Sequence, residues 1–216
     1  MHIIGVTGLS CSGKTTLSEK LYRRLGTENC LLISMDNYYK ELTSDQYKVL
    51  HNDEAAINFD TPDAINFEML KKNLKDIKNN VGEVKLPIFD LASCTLTGWK
   101  NVPSNKYKYI IIEGLLIFSD PEVVELCNLK IWVDASDYVC ALRRFIKFTD
   151  TIKGYSHQYI YNQCVKFVIP GQDKYVKPVK NVCDFFINGE KNDINHVEII
   201  VKYVANSVDS NEPRCI

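Results

Sequence analysis

Residues 6–17 read VTGLSCSGKTTL. The apolar segment HIIGVT (2–7) leads into this stretch, and SEKLYRRL (18–25) follows it. Within it, Gly8-Leu9-Ser10-Cys11-Ser12-Gly13-Lys14-Thr15 matches the pattern GxxxxGK[ST]. Glycines at the two ends of such a loop let main-chain N–H groups turn inward and cradle phosphate oxygens. A lysine there reaches the terminal phosphates of a nucleotide, and the hydroxyl after it is placed to ligate Mg²⁺. A helix starting at this point adds the positive end of its dipole. Gly8, Ser10, Cys11, Ser12, Gly13, Lys14, Thr15 and Thr16 are therefore the candidate phosphate-binding residues. The order strand, loop, helix is the context that separates this motif from a chance match.

Working outward, short apolar and β-branched runs alternate with helical periods. HIIGVT (2–7), CLLIS (30–34), YIIIEGLL (109–116), LKIWVD (129–134) and CDFFIN (183–188) read as strands. KTTLSEKLYRRL (14–25) places Leu17, Leu21 and Leu25 on one helical face, and NFEMLKKNLKDIKN (66–79) does the same with Phe67, Leu70, Leu74 and Ile77. DYVCALRRFIKFTDTI (137–152), HQYIYNQCVKFVI (157–169) and INHVEIIVKYVANSV (194–208) also read as helices. Fully apolar strands between helices predict a parallel sheet covered on both faces. The interval 82–104 has turn and strand character with no helical period, and reads as a hairpin-like excursion. One domain over 1–208 and a frayed tail at 209–216 are expected.

Composition narrows the function classes. The formal net charge is −1, from 26 Lys+Arg against 27 Asp+Glu. A general nucleic-acid or anionic-membrane binder needs a basic excess, so neither is expected as a partner. No apolar run approaches the roughly 20 residues of a membrane span. None of the eight cysteines forms a CxxC pair, and Met1 leads straight into a strand. Reduced thiols and a cytoplasmic location are the expectation.

A phosphate loop also needs an acidic residue at the end of another strand to hold the metal. Glu113 ends YIIIE and Asp134 ends LKIWVD. Glu113 is favoured because Gly114 lets the chain turn at the strand end. No glycine has an aspartate three residues before it and no NKxD reader is present, which counts against a GTPase. SMDNYYK (34–40) offers Asp36 just beyond the second strand, where open α/β sheets place ligands. It could equally serve as a turn or cap residue. INFDTPDAINFEML (57–70) adds Phe59 and Asp60: a carboxylate able to accept from two vicinal hydroxyls, beside an aromatic ring able to cover a sugar or base.

GLSCSGKTT, ISMDNYY, NFDTPDAINFEML, LPIFDL, IIIEGLLIF and LKIWVD followed by RR, taken in order, resemble the uridine kinase family of P-loop kinases, related to phosphoribulokinase and bacterial pantothenate kinase. The resemblance runs from residue 3 to about residue 190. It implies an α/β P-loop fold with a five-stranded parallel sheet in the order 2-3-1-4-5, flanked by helices, with a hairpin excursion at 82–104 and a helical lid at 137–169. It also implies ATP-dependent phosphorylation of the 5′-hydroxyl of a ribonucleoside, uridine or cytidine, with Mg²⁺. On the matching positions it makes Asp36 the base, with Lys14 and Arg144 as its catalytic partners. Thr15 and Glu113 become the metal site, and Asp60 the ribose ligand. Phe59, Tyr39, Phe89, Cys94, Arg144 and Gln163 line the nucleoside site. A homo-oligomer is an expectation of the resemblance alone.

The chain departs from the family pattern in two places. Phe89, Cys94 and Leu96 stand where a tyrosine, a histidine and an arginine are usual. Losing those hydrogen-bonding groups relaxes or redirects base specificity. Lys147, Lys153 and Tyr155 stand in the lid where arginines are common, and lysine lacks the bidentate fork. The first departure keeps open a related kinase with another acceptor, such as nicotinamide riboside or a small alcohol. The second keeps open a nucleotide-binding regulatory protein with little transfer activity.

Overall fold

The computed structural model describes residues 1–52, 57–151, 156–191 and 194–209. In chain order its strands are β1 (His2–Gly8), β2 (Cys30–Ser34), β3 (Glu83–Asp90), β4 (Thr95–Pro103), β5 (Tyr109–Glu113), β6 (Leu129–Asp134) and β7 (Phe185–Asn188). Five of them pair in parallel in the order β2-β5-β1-β6-β7. Counting only the strands of that sheet, this is the expected 2-3-1-4-5. β3 and β4 form the separate antiparallel hairpin expected over 82–104, with a register shift between Ile88 and Phe89.

The two faces of the sheet bury alternate residues of each strand, as the two-residue side-chain period requires. Ile3, Ile110 and Ile112 enter one core with Leu31, Ile33 and Trp132. Ile4, Val6 and Ile111 enter the other with Ile131 and Val133. The described residues form eight α-helices, α1 (Lys14–Leu25), α2 (Ser44–Asn52), α3 (Phe67–Lys78), α4 (Pro121–Leu126), α5 (Asp137–Ile146), α6 (His157–Gln163), α7 (Ile169–Gly171) and α8 (Ile194–Asp209), of which α1, α3, α4, α5 and α8 put side chains into these two cores. Leu70, Leu74 and Ile77 of α3 fill the first core. Leu17 and Leu21 of α1 fill the second with Val197, Ile200 and Val204 of α8. An exposed fork from Arg24 to Glu198, at 2.6 and 2.9 Å, ties α1 to α8.

Some elements differ from the sequence reading. β5 stops at Glu113 instead of 116, and the chain turns through Gly114 into a 3₁₀ turn at Ile117–Ser119. α2 and α4 carry local signals that periodicity misses in such short helices. Thr43 and Gln46 exchange side-chain-to-backbone hydrogen bonds of 2.8 and 3.3 Å, a capping box. Asp120 caps α4 by accepting from Glu122 N and Val123 N, ahead of a proline at the first position. The helix expected to stop at 169 runs on to Val182. It passes Pro170 because wide turns flank it: Ile169 N donates to Cys164 O and Lys177 N to Gln172 O, five residues back in each case. A proline lacks the N–H and crowds the ordinary ladder, and a widened ladder accommodates it. The expected lid residues Lys153 and Tyr155, and the tail beyond 209, lie outside the described residues.

Ile111 is fully buried at the centre of the sheet. Ile111→Ala is expected to lower unfolding free energy by about 2–5 kcal/mol, from lost transfer energy and the cavity left behind. A urea titration should show a lower midpoint at unchanged slope.

Candidate active site

β1 ends at Gly8 and α1 begins at Lys14, so the phosphate loop fills the turn between them. Gly13 stands immediately before the helix at φ 109°, where a side chain would be strained. Cys11 adopts φ 63° without being glycine. A loop that turns this way points successive N–H groups to one side, as an anion cradle requires. Lys14 is buried and its ammonium donates to Leu9 O at 2.8 Å, folding back across the loop.

Sheet register places the carboxylates. Val6 of β1 and Ser34 of β2 both pair with Glu113, so Glu113 sits at the carboxyl end of the sheet between them. It accepts from Thr15 Oγ1 at 3.3 Å and from Ser34 Oγ at 3.1 Å. Ser34 Oγ also accepts from Asp36 N at 3.3 Å, which starts the 3₁₀ turn Met35–Tyr38 and sets Asp36 over the site. Asp134, the other strand-end acid, is exposed and bound to Lys180 Nζ and Trp132 Nε1. It does not line the cavity.

The charges on this floor oppose one another in a nearly dry space. Burial raises the pKa of Glu113, and Asp36 raises it further, while Lys14 and the Ser34 and Thr15 hydroxyls pull it back. Burial raises Asp36 against the pull of Lys14 and Lys147. Burial also raises Asp60, against Arg144. Lys14 is lowered by burial, with Glu113 and Asp36 opposing. Asp36 keeps part of its surface open to the cavity, yet loss of water still dominates its shift.

A cavity of about 780 Å³ opens above this floor. Its wall includes Ser10, Cys11, Gly13, Lys14, Thr15 and Thr16 on the phosphate side. Asp36, Tyr39, Phe59, Asp60, Cys94, Glu113, Arg144 and Gln163 are also part of it. Three of the expected residues stand behind the wall. Gly8 closes β1, Ser12 is fully buried beneath the loop, and Phe89 packs on Tyr39 with ring centroids 6.2 Å apart. Tyr39 also meets Phe59 edge-on at 5.9 Å. Burial holds the Tyr39 phenol well above its ordinary pKa, and Asp36 and Asp60 add to this. Cys94 turns its thiol toward Leu91 O at 3.5 Å.

Three contributions were not legible in the sequence. Arg143, neighbour of the expected Arg144, donates to Gly189 O at 3.0 Å and to Cys11 O and Ser12 O at 3.4 Å. It braces the back of the phosphate loop, while Arg144 donates to Ser10 Oγ at 3.0 Å on the other side. Gln172, also buried, accepts from Ser10 N at 2.7 Å. Phe148 lies under the Arg144 guanidinium, 4.6 Å from ring centroid to Cζ. No motif marks Gln172 or Phe148, and the RR pair marks Arg143 without showing that it turns to the back of the loop; each role depends on where a helix passes the loop.

A family model described as "Phosphoribulokinase / Uridine kinase family" matches residues 3–195. The chain belongs to that family. Among curated relatives, a "Uridine kinase" of Limosilactobacillus reuteri is 33% identical over 185 residues, covering 86% of this chain and 82% of that protein. "Uridine kinase-like protein 5" of Arabidopsis thaliana is 32% identical over 204 residues, covering 94% of this chain. The chain spans 42% of that plant protein's length and 37% of the mouse "Uridine-cytidine kinase-like 1". Among solved structures, phosphoribulokinase from Rhodobacter spheroides superposes with a TM-score of 0.64 at 18% identity, covering 85% of this chain and 68% of that one. That likeness speaks to the fold. Among the described residues no helix is long and apolar enough to cross a membrane.

The oxygen donors at 15 and 113 suit Mg²⁺, which is held by one or two protein oxygens together with substrate phosphates and water. Among the described residues no cluster of three or more His, Cys, Asp or Glu offers a dedicated cage. The loop residues and this donor pair therefore fit a magnesium–nucleotide complex.

Two outcomes test this site. Cys11 lines the cavity with its thiol partly exposed. Alkylation at Cys11, read by peptide mass against a Cys11→Ser control, should slow at saturating Mg·ATP; equal labelling with and without nucleotide would count against the loop assignment. The raised carboxyls give the second. Folding favours their protonated form, so their contribution is present below the ordinary carboxylate range and is lost as pH rises through the raised folded values. Asp36→Asn should therefore melt higher than the wild type at pH 7.5, and the gap should close as pH falls toward that range.

Proposed function

We propose that this protein transfers the γ-phosphoryl group of ATP to the 5′-hydroxyl of a ribonucleoside, with uridine and cytidine as the first acceptors to test. The observation that carries the reading is the shared cavity: a phosphate loop with Lys14, Thr15 and Glu113 faces two further carboxylates, Asp36 and Asp60, across one space. A phosphate-binding protein has no need of two buried acids opposite its loop. A kinase needs one to take a proton and one to hold the acceptor.

In this reading the loop amides and Lys14 bind the polyphosphate. Thr15 and Glu113 would hold Mg²⁺, and its charge would offset that of the polyphosphate. Asp36 accepts the proton of the acceptor hydroxyl, and the raised pKa makes its carboxylate a stronger base than in water. The freed oxygen forms the new bond to the γ-phosphorus as the bond to the β-phosphate oxygen breaks, and ADP leaves. Asp60 accepts hydrogen bonds from the vicinal sugar hydroxyls, and Phe59 and Tyr39 cover the sugar and base. Arg144 and Lys147, both in the cavity wall, approach the transferring group and help exclude water. The relatives named uridine kinase support the nucleoside acceptor. The described cysteines are free thiols, which suits a reducing compartment, and a cytoplasmic setting belongs to the same proposal.

A specific observation favours a second reading of the acceptor. Phe89 stands behind the wall, Cys94 points its thiol at Leu91 O, and Leu96 presents its N–H to Glu41 at 3.0 Å. None of these side chains supplies a firm hydrogen bond to a base edge, so nicotinamide riboside or another primary alcohol fits the same machinery. ADP release from Mg·ATP with uridine, cytidine, nicotinamide riboside and simple polyols separates these readings. Uridine-dependent release, lowered at least about a hundredfold in Asp36→Asn, is the expected result. Release only with another acceptor moves the assignment to it. Tight ATP binding with no transfer to any acceptor would overturn the kinase reading in favour of a regulatory nucleotide-binding protein.

A further inference from the structure

The helical run that carries Gln172 touches both halves of the cavity within two residues. On the donor side, Gln172 Oε1 accepts from Ser10 N at 2.7 Å. Gln172 is buried, so losing this bond would strand a polar group away from water. Ser10 is also held through its hydroxyl by Arg144, so two helices of the lid region grip one residue of the phosphate loop.

On the acceptor side, the preceding residue is glycine, and its backbone gives no reason for it. Gly171 has φ −64° and ψ −44°, helical values that any residue adopts. The reason is contact. A Cβ at 171 would overlap the carbonyl oxygen of Asp60 and stand 3.0 Å from the Asp60 Cβ. The helix backbone therefore lies directly against the residue placed to hold the acceptor's sugar. Asn58 Oδ1 accepts from Asp60 N at 2.9 Å and orders the loop from the other side.

Consecutive Cα atoms are about 3.8 Å apart and cannot move independently. A wide turn at Cys164–Val168 precedes the pair and a second, Gln172–Val176, begins at Gln172, and such turns gather at functional positions. We propose that the Gly171–Gln172 turn is a positioning element: it gauges the gap between the phosphate loop and Asp60 and so holds the acceptor hydroxyl in line with the γ-phosphate. The inference rests on the kinase reading above. Neither residue touches the reacting atoms; each acts through Ser10 or Asp60. Setting that gap matters because a displacement of about 1 Å in a reacting pair lowers rates about a hundredfold.

The two residues address different subsites, and that makes the idea testable. Gly171→Ala should push Asp60 away and raise the acceptor KM about tenfold while leaving Mg·ATP affinity unchanged. Gln172→Met, of similar volume but without the acceptor oxygen, should leave the Mg·ATP Kd within about threefold. It should lower kcat for transfer about tenfold or more, and raise the share of ADP released with no acceptor present. Gln172→Glu keeps an oxygen for Ser10 N–H and should recover most of the lost kcat at saturating Mg·ATP. Thermal melts establish that each variant is folded at the assay temperature. A Gln172→Met protein with weakened Mg·ATP binding but wild-type kcat would reduce Gln172 to a support for the loop and overturn the inference. An unchanged acceptor KM in Gly171→Ala would overturn it equally. A wild-type protein that transfers to no acceptor is a different result, since it fells the kinase reading first.

Discussion

Everything in the site depends on one carboxylate at the mouth of the sheet. Glu113 is buried, yet it is neither stranded nor tightly paired. Ser34 and Thr15 satisfy its oxygens, and Lys14 supplies opposite charge nearby. That arrangement joins three separate segments: β2 through Ser34, the start of α1 through Thr15, and β5 itself. It also explains why the protein tolerates four ionisable groups in one poorly hydrated floor. Burial pushes the carboxyls up and the lysine down, and their mutual attraction opposes both shifts.

The sheet and the phosphate loop were legible because their signals are local and dense. Five apolar runs name five strands, and one eight-residue pattern names the turn. Glu113 over Asp134 was legible for a physical reason that holds in three dimensions: the chain turns at Gly114 and carries Glu113 inward, whereas Asp134 finds Lys180 and Trp132 at the surface. The helix past Pro170 was not legible. A proline and a glycine in sequence signal a stop, and only a widened ladder, which leaves no compositional trace, lets the run continue. Gln172 was hidden by that misreading, since a residue beyond an expected helix end has no face to be assigned to.

The paired arginines show the same limit at finer scale. Adjacent residues on a helix point about 100° apart, so Arg143 and Arg144 cannot share a task. Arg143 spends its guanidinium on the carbonyls of Cys11, Ser12 and Gly189, and Arg144 reaches Ser10 and faces Asp60. Sequence alone presents the two as one basic patch. The geometry separates a brace for the loop from a side chain inside the cavity, and it leaves Arg144 and Lys147 as the lid-side cations of the described wall beside the brace.

The acceptor side follows a different logic from the donor side. On the kinase reading, the donor side is built of backbone and charge, whereas the acceptor side is built of rings and borders a hairpin tip. That tip is tied to the 34–52 segment rather than to the sheet. Asn37 accepts from Phe89 N at 3.2 Å, Glu41 accepts from Leu96 N at 3.0 Å, and the Tyr47 hydroxyl donates to the carbonyls of Ser93 and Cys94. Of Phe89, Cys94 and Leu96, Cys94 alone lines the cavity and Phe89 bears on it through Tyr39, while the ties at Phe89 N and Leu96 N are main-chain and do not depend on the side chains there. On the kinase reading, the phosphate cradle rests on the rigid sheet and the acceptor space borders a strapped hairpin, so the two can be altered separately.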